Sequence, residues 1–180
     1  PVRTLEEIPR ERLPPAVITE ERAGAADAAD EREAPAIPPM FELKAADFPL
    51  LVKLGRNVSA LAAEGQIDTL IGRQKELGEI IDILGKRRTN NPILVGEPGV
   101  GKTALVEGLA DIMAENPAIV PGLAGKIIVE LDMGRIMGGT QLRGALADRF
   151  NGLKDEVKKA DGKVIVFLDE IHQLIHGGGD

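Results

Sequence analysis

The chain of 180 residues contains no cysteine, tryptophan or tyrosine, and four phenylalanines are its only large aromatic side chains. Without cysteine it can form neither disulfides nor thiolate metal sites. So few rings leave an aliphatic core and little to stack on nucleic-acid bases. No apolar run approaches the roughly 20 residues that span a bilayer. These absences exclude a disulfide scaffold and disfavour membrane and nucleic-acid binding.

Positive charge is also scarce, because 22 Lys and Arg stand against 29 Asp and Glu, for a net charge of −7. No basic cluster marks a surface for a phosphate backbone. Residues 1–48 hold eleven acidic and six basic residues, more than half of the twelve prolines and the low-complexity run AGAADAADEREAPA. Such a segment buries too little apolar surface to fold. We predict a disordered acidic linker over 1–48, the alternative being a docking tail with short apolar contacts such as Met40-Phe41.

A glycine-rich stretch, NNPILVGEPGVGKT at residues 90–103, contains the pattern G-x-x-x-x-G-K-[ST]. Glycines at these positions let backbone N–H groups surround a phosphate at a helix N-terminus. Lys102 would reach the β- and γ-phosphates of a nucleotide, and the Thr103 hydroxyl would bind Mg²⁺. The predicted nucleotide-binding residues of this loop are Gly96, Glu97, Pro98, Gly99, Val100, Gly101, Lys102 and Thr103. A buried apolar strand before the loop and a helix after it are predicted, the order that the pattern requires.

Strands and helices alternate along the chain from residue 49, which predicts an α/β domain with a mostly parallel sheet. The predicted helices are 50–65, 74–86, 104–113 and 142–159, and the predicted strands are 93–95, 126–131 and 164–168. Gly65 is placed to cap the first helix. Lys86-Arg87-Arg88 would lie in the last turn of the second helix, where cations favour the dipole. A glycine-containing loop is expected over 134–140.

The strand at 164–168 ends in Asp169-Glu170. A phosphate loop needs a second acidic strand end close by, because Mg²⁺ must be held opposite the phosphates, and Asp169 can do this. Glu170 can polarise the attacking water as a general base. We therefore predict Lys102 and Glu170 as catalytic residues and Thr103 and Asp169 as metal ligands. The alternative is that the two carboxylates only begin a helix.

Two histidines follow this acidic pair, and their spacing of four would place both on one helix face. A zinc pair is conceivable, but no third ligand is evident apart from Glu170. We expect His172 and His176 to be packing or surface residues.

The chain resembles the first ATPase domain of the Clp family of AAA+ unfoldases and disaggregases. The matching stretches cover about residues 55–176 and are GRNVSALAAEGQID, IGR, RRTNNPILVGEPGVGKTALVEGLA, VPGLAGKIIVELDMG and VIVFLDEIH. The resemblance implies an AAA+ phosphate-loop NTPase fold, incomplete at the C-terminus, because the chain ends before the sensor strand, arginine finger and helical lid. It also implies that Leu70 and Ile71 lie against the adenine, and that a later strand separates 164–168 from 93–95.

By the same resemblance, the whole protein would be a cytoplasmic ATPase that assembles a homo-hexameric ring and unfolds or remodels protein substrates. The segment alone would bind ATP weakly and would not hydrolyse it. Leu142 stands where the family usually has an aromatic residue in the loop that faces the pore. A solvent-facing position is expected for it, although it is also in phase with Leu146 and Phe150 on a helix face.

Two other functions are compatible with parts of the sequence. A nucleotide-gated assembly or scaffold subunit would bind ATP without threading a substrate. The feature that favours it is Leu142, which stands in place of the aromatic residue. An ATPase that acts on nucleic acid, such as a helicase loader, would need a basic surface, which the charge pattern does not offer.

Overall fold

The computed structural model describes residues 37–116, 122–138 and 143–171. The predicted disorder of residues 1–36, the position of Leu142 and the two histidines lie outside the described residues. In chain order the elements are a 3₁₀ turn (Pro39–Phe41), α1 (Pro49–Leu54), β1 (Gly55–Asn57), α2 (Val58–Ala63), α3 (Gln74–Leu84), α4 (Lys102–Glu115), β2 (Ile127–Leu131), α5 (Met133–Met137), α6 (Arg143–Lys159) and β3 (Val164–Leu168). The predicted α/β class is confirmed. None of the described helices is both long and apolar enough to cross a membrane.

The described strands form one sheet in the order β1-β2-β3. β2 and β3 are parallel, and Leu131 at the end of β2 lies opposite Leu168 at the end of β3. β1 pairs with β2 in the antiparallel direction. Because β2 and β3 end in register, the residues that follow them, Asp132 and Asp169, leave the sheet at the same edge.

Helices cover both faces of the sheet, and alternate residues of β2 show the two layers. Ile128 belongs to one buried aliphatic cluster, with residues of α2, α3 and α4. Ile127 and Val129 belong to the other, with residues of α1, α5 and α6. The predicted helical stripes are confirmed, since Ile80 of α3 is 5% exposed and Leu153 of α6 is 3% exposed. α4 therefore packs on the same face of the sheet as α2 and α3.

The single helix predicted over residues 50–65 is wrong, because β1 divides it into α1 and α2. The Asn57 side chain caps the start of α2 by accepting the Ala60 N–H at 3.0 Å. The predicted cap at Gly65 is confirmed, with φ +69°. Its N–H donates to the carbonyl of Ala62, and the next N–H donates to the carbonyl of Leu61. These two bonds form a Schellman motif, which ends α2.

The buried strand predicted at residues 93–95 is also wrong, because this segment pairs with none of the described strands. Ile93 is 84% exposed and Val95 is 91% exposed, whereas Leu94 packs against the core. That alternation is typical of a strand with one covered face. A strand also needs a hydrogen-bonding neighbour, and the described strands leave this segment without one.

Several element boundaries differ from the prediction. α3 ends at Leu84, so the basic run at 86–88 lies beyond the helix and is exposed. The loop expected from Gly134 begins as the short helix α5. Phe41 is 2% exposed and packs in the second cluster, so the folded part begins before residue 49. Phe41 therefore belongs to the domain's own core, and it is not available as a contact of a docking tail.

Candidate nucleotide-binding site

The glycine-rich loop turns between the extended segment at 92–95 and α4. Gly99 and Gly101 have φ values of +78° and +87°, conformations that residues with a Cβ rarely adopt. Left-handed residues in such a turn direct successive backbone N–H groups toward one side, which makes a concave anion site. The first turn of α4 contains no acidic residue, so its positive dipole end is not neutralised from within the helix.

The Lys102 ammonium lies against this loop. Its Nζ donates to the carbonyl oxygens of Gly96 at 3.1 Å and Glu97 at 2.9 Å. These neutral acceptors would be replaced by phosphate oxygens in the nucleotide complex, since charge-assisted hydrogen bonds to an anion are stronger. The position fits the role predicted from the sequence.

The two predicted metal ligands are brought together by the fold. Oγ1 of Thr103, in the first turn of α4, donates to Oδ2 of Asp169 at 2.8 Å. The other carboxylate oxygen, Oδ1, accepts the N–H of Glu170 at 2.8 Å. A hydroxyl and a carboxylate are the hard oxygen ligands that Mg²⁺ prefers. The residues at this point of the fold therefore suit Mg²⁺ bound together with a phosphate.

Glu170 is exposed and has φ +50°, an uncommon backbone conformation for a residue with a side chain. Such strain is concentrated at functional sites. Glu170 and Asp169 also border a cavity of about 430 Å³, whose other lining residues are Gly55, Arg56, Glu130, Leu131, Asp132, Met133, Gly134 and Arg135. None of them belongs to the glycine-rich loop, so this cavity adjoins the acidic pair and is separate from the phosphate cradle.

The segment predicted to contact adenine lies beside the helix that follows the loop. Leu70 packs on α4 at Gly108, where an added Cβ would lie 2.7 Å from Leu70 Cδ2. The close approach thus depends on a residue without a side chain. Ile71 is 91% exposed, so its side chain is accessible to a ligand. The adenine contacts of Leu70 and Ile71 stay predictions.

Two arginines near the site were missed by the sequence reasoning. Arg73 donates from Nη2 to the carbonyl oxygen of Val100 within the loop, at 2.8 Å. Arg56 of β1 binds Glu107 of α4 and Glu130 of β2. Both lie in stretches that carry the family resemblance, IGR and GRNVSALAAEGQID. Nothing in the spacing indicates the partners just named, which are 27 to 74 residues away.

Comparison with known proteins gives a consistent result. Residues 92–179 match the family described as ATPase family associated with various cellular activities (AAA). The chain is 45% identical over 131 residues to the chloroplastic chaperone protein ClpC3 of Oryza sativa subsp. japonica, covering 73% of this chain and 14% of that protein. It is 46% identical over 136 residues to the negative regulator of genetic competence ClpC/MecB of Bacillus subtilis, covering 74% of this chain and 16% of that protein.

Solved structures show the same likeness. The Hsp104–ADP complex of S. cerevisiae matches with a TM-score of 0.65 and 34% identity, over 72% of this chain and 22% of that chain. The S. cerevisiae Hsp104:casein complex in an extended conformation matches with a TM-score of 0.62 and 32% identity, over 73% of this chain and 22% of that chain. The chain therefore spans about one sixth of the length of the similar Clp proteins and about one fifth of the matched Hsp104 chains.

Proposed function

The chain belongs to the Clp family of AAA ATPases, and we propose that its site binds ATP with Mg²⁺ and hydrolyses it as part of a larger protein. The observation that carries this proposal is the contact between Thr103 and Asp169. It joins the phosphate-loop helix to the acidic end of β3, which is what a metal-dependent nucleotide site requires. A related structure was determined with ADP, which supports the same ligand class here.

Each residue of the site then has a definite task. The loop N–H groups and Lys102 hold the phosphates and balance their negative charge. Thr103 and Asp169 would hold Mg²⁺, which neutralises charge on the β- and γ-phosphates when bound. Glu170 orients a water molecule and accepts its proton as the water attacks the γ-phosphate.

For the whole protein we propose ATP-driven unfolding or remodelling of protein substrates by a cytoplasmic homo-hexameric ring. The support is that a similar protein is named a chaperone and that a related structure is a complex with casein. The alternative of a nucleotide-gated scaffold subunit rests on Leu142, which replaces the family's usual aromatic residue. An unfolding assay with a labelled substrate separates the two, because a scaffold would bind ATP without unfolding the substrate.

Two substitutions in the whole protein test the ATPase proposal. Lys102→Ala removes the cation that neutralises the phosphates and should abolish binding of labelled ATP. Glu170→Gln keeps the shape of the side chain but cannot accept the proton, so it should leave binding intact and slow turnover by about 10²- to 10⁴-fold. Lys158→Ala, on the exposed side of α6, is the control for loss of one positive charge. ATP affinity unchanged by Lys102→Ala would refute the nucleotide assignment.

A further inference from the structure

The side chain of Arg73 joins two parts of the site that are 27 residues apart in sequence. One guanidinium nitrogen, Nη2, donates to the carbonyl oxygen of Val100 at 2.8 Å. The other, Nη1, lies 3.1 Å from Oε1 of Glu76, one turn into α3. The guanidinium therefore lies between the start of α3 and the glycine-rich loop, with a partner on each side.

The backbone of Arg73 is in an unusual conformation for its residue type. Its φ is +74° and its ψ is +18°, and it occupies the N-cap position of α3 without making a side-chain cap hydrogen bond. Left-handed backbone is unfavourable for residues with a Cβ, and Asn, Asp or Ser would cap the helix better. Neither backbone conformation nor helix capping therefore explains an arginine at this position. The remaining explanation is the pair of contacts that its side chain makes.

The carbonyl that Arg73 binds belongs to the part of the glycine-rich loop with the left-handed residues. Val100 stands between Gly99 and Gly101, the two loop glycines with positive φ. A carbonyl oxygen that turned into the loop would present negative charge to a phosphate and would displace the N–H groups from it. Because the guanidinium holds this oxygen on its own side, the neighbouring N–H groups stay available to the anion.

We propose that Arg73 is a positioning residue that holds the glycine-rich loop in its anion-binding shape before the nucleotide arrives. The inference rests on the proposed nucleotide function of the same loop. Glu76 assists by fixing the guanidinium from the α3 side. A hydrogen bond from its own backbone N–H and the Arg73 guanidinium both lower the pKa of Glu76, so this carboxylate is charged at neutral pH.

Arg73→Gly in the whole protein is the sharpest test, because it relieves the left-handed backbone while removing the guanidinium. Amide hydrogen exchange without nucleotide should be faster at residues 96–101, whereas protection of α3 should be unchanged or greater. ATP affinity should fall by about 3- to 10-fold, the worth of one hydrogen bond. Arg73→Lys, which keeps a cationic donor, should recover part of the affinity.

Asp161→Gly is the matched control, since Asp161 also has a positive φ, of +48°, and lies in the turn between α6 and β3. It should change neither loop exchange nor ATP affinity. The proposal is overturned if Arg73→Gly leaves loop exchange and affinity at the wild-type level, or if protection of α3 falls together with that of the loop. If wild type itself does not bind ATP, the function proposal fails, and loop exchange without nucleotide still decides the role of Arg73.

Discussion

The Thr103 hydroxyl at the start of α4 donates a 2.8 Å hydrogen bond to Oδ2 of Asp169 at the end of β3. The two residues are 66 positions apart in sequence, so their contact depends on the packing of α4 against the sheet. In a metal complex the same two oxygens would face Mg²⁺, and the hydroxyl would turn a lone pair toward the cation. The fold alone thus brings these two metal-binding residues together, because their contact forms without Mg²⁺ or nucleotide.

Thr103→Val should shift the Mg²⁺ dependence of ATP binding to higher metal concentration. Valine has nearly the same shape but no oxygen, so the affinity for Mg²⁺ should fall by at least about 10- to 100-fold. That is the cost of losing a residue that only supports a metal ligand. Thr103→Ser keeps the hydroxyl and should bind as wild type does. A Mg²⁺ titration of ATP binding by the three proteins measures the effect, and superimposable curves for wild type and Thr103→Val would remove Thr103 from the metal site.

Ser59→Ala should destabilise the domain by about 1–3 kcal/mol, because it leaves a buried N–H without an acceptor. Ser59 is 0% exposed, and its Oγ accepts the N–H of Ile128 at 2.9 Å. β1 ends at Asn57, which pairs with Val129 of β2. The Ser59 hydroxyl therefore binds the β2 backbone just beyond the last residue pair of the two strands. Urea unfolding of the 180-residue chain measures the loss. Ser59→Cys, with its weak sulfur acceptor, should lose less, and equal losses would show that only packing matters.

The sequence predicted the elements whose signals are local. Apolar runs identified β2 and β3, and apolar spacing identified the helix faces of α3 and α6. β1 was missed because three residues carry no periodicity, and Gly55–Asn57 become a strand only through pairing with residues 129–131. The segment at 93–95 is the reverse case, because it was predicted as a strand and pairs with none of the described strands. Its composition is that of a strand, but a ladder requires a partner that the described strands do not supply.

In the candidate site, too, only the residues with a local sequence signal could be predicted. Lys102 and Thr103 could be predicted because the glycine-rich motif contains them, and Asp169 and Glu170 because they directly follow the apolar run that predicts β3. Arg73 could not be assigned a role, because its partner is a backbone carbonyl, which no residue type reveals. Arg56 was missed for a related reason. Its carboxylate partners lie on two other elements, and only packing brings those elements together.

Arg56→Gln should destabilise the 180-residue chain by about 1 kcal/mol at neutral pH, the upper range for exposed ion pairs. Nη2 of Arg56 lies 2.6 Å from a carboxylate oxygen of both Glu107 and Glu130. Partial burial alone would lower the pKa of Arg56, but hydrogen bonds to the two glutamates raise it. Without the guanidinium the two carboxylates repel each other across a short gap.

A double-mutant cycle isolates this repulsion. Adding Glu107→Gln to Arg56→Gln removes one of the two charges and should recover part of the lost stability. Urea unfolding at low and high salt measures it, and the recovery should shrink as salt screens the pair. Strictly additive effects of the two substitutions would show that Arg56 does not couple α4 to β2.

Asp111→Asn should stabilise the 180-residue chain at neutral pH by about 0.2–0.5 kcal/mol, the cost of a like-charge pair one helical turn apart. Burial and then the charge of Glu115 raise the pKa of Asp111 above its usual value. The folded state thus favours the protonated form, so this contribution to stability is present at low pH and is lost as pH rises through the folded pKa. The gain from Asn should therefore vanish below about pH 4. Urea midpoints from pH 3 to 8 test this sign, and a gain that grew on acidification would contradict it.

The 180-residue chain on its own should carry a weakly protected segment in an otherwise protected core. β2 has a hydrogen-bonded strand on each side, whereas β3 is paired only with β2 among the described strands, and residues 93–95 are paired with none of them. Amide exchange should therefore be slow in β2 and fast at 93–95. Unpaired strand edges and exposed apolar side chains favour association between chains, so the apparent mass should rise with protein concentration.

Ile93→Lys tests whether this segment causes the association. Ile93 is 84% exposed, so a lysine there costs little stability and places a charge where another chain would pair. Sedimentation should show less association for the variant, while Lys44→Gln, at another exposed position, should leave it unchanged.

ATP turnover by the 180-residue chain or by its Ile93→Lys variant should be negligible, because an arginine supplied by a neighbouring subunit is worth about 10³–10⁵ in rate where such groups act. A monomeric chain with slow exchange at 93–95 and steady hydrolysis would show that the site needs neither a further strand nor a neighbouring subunit.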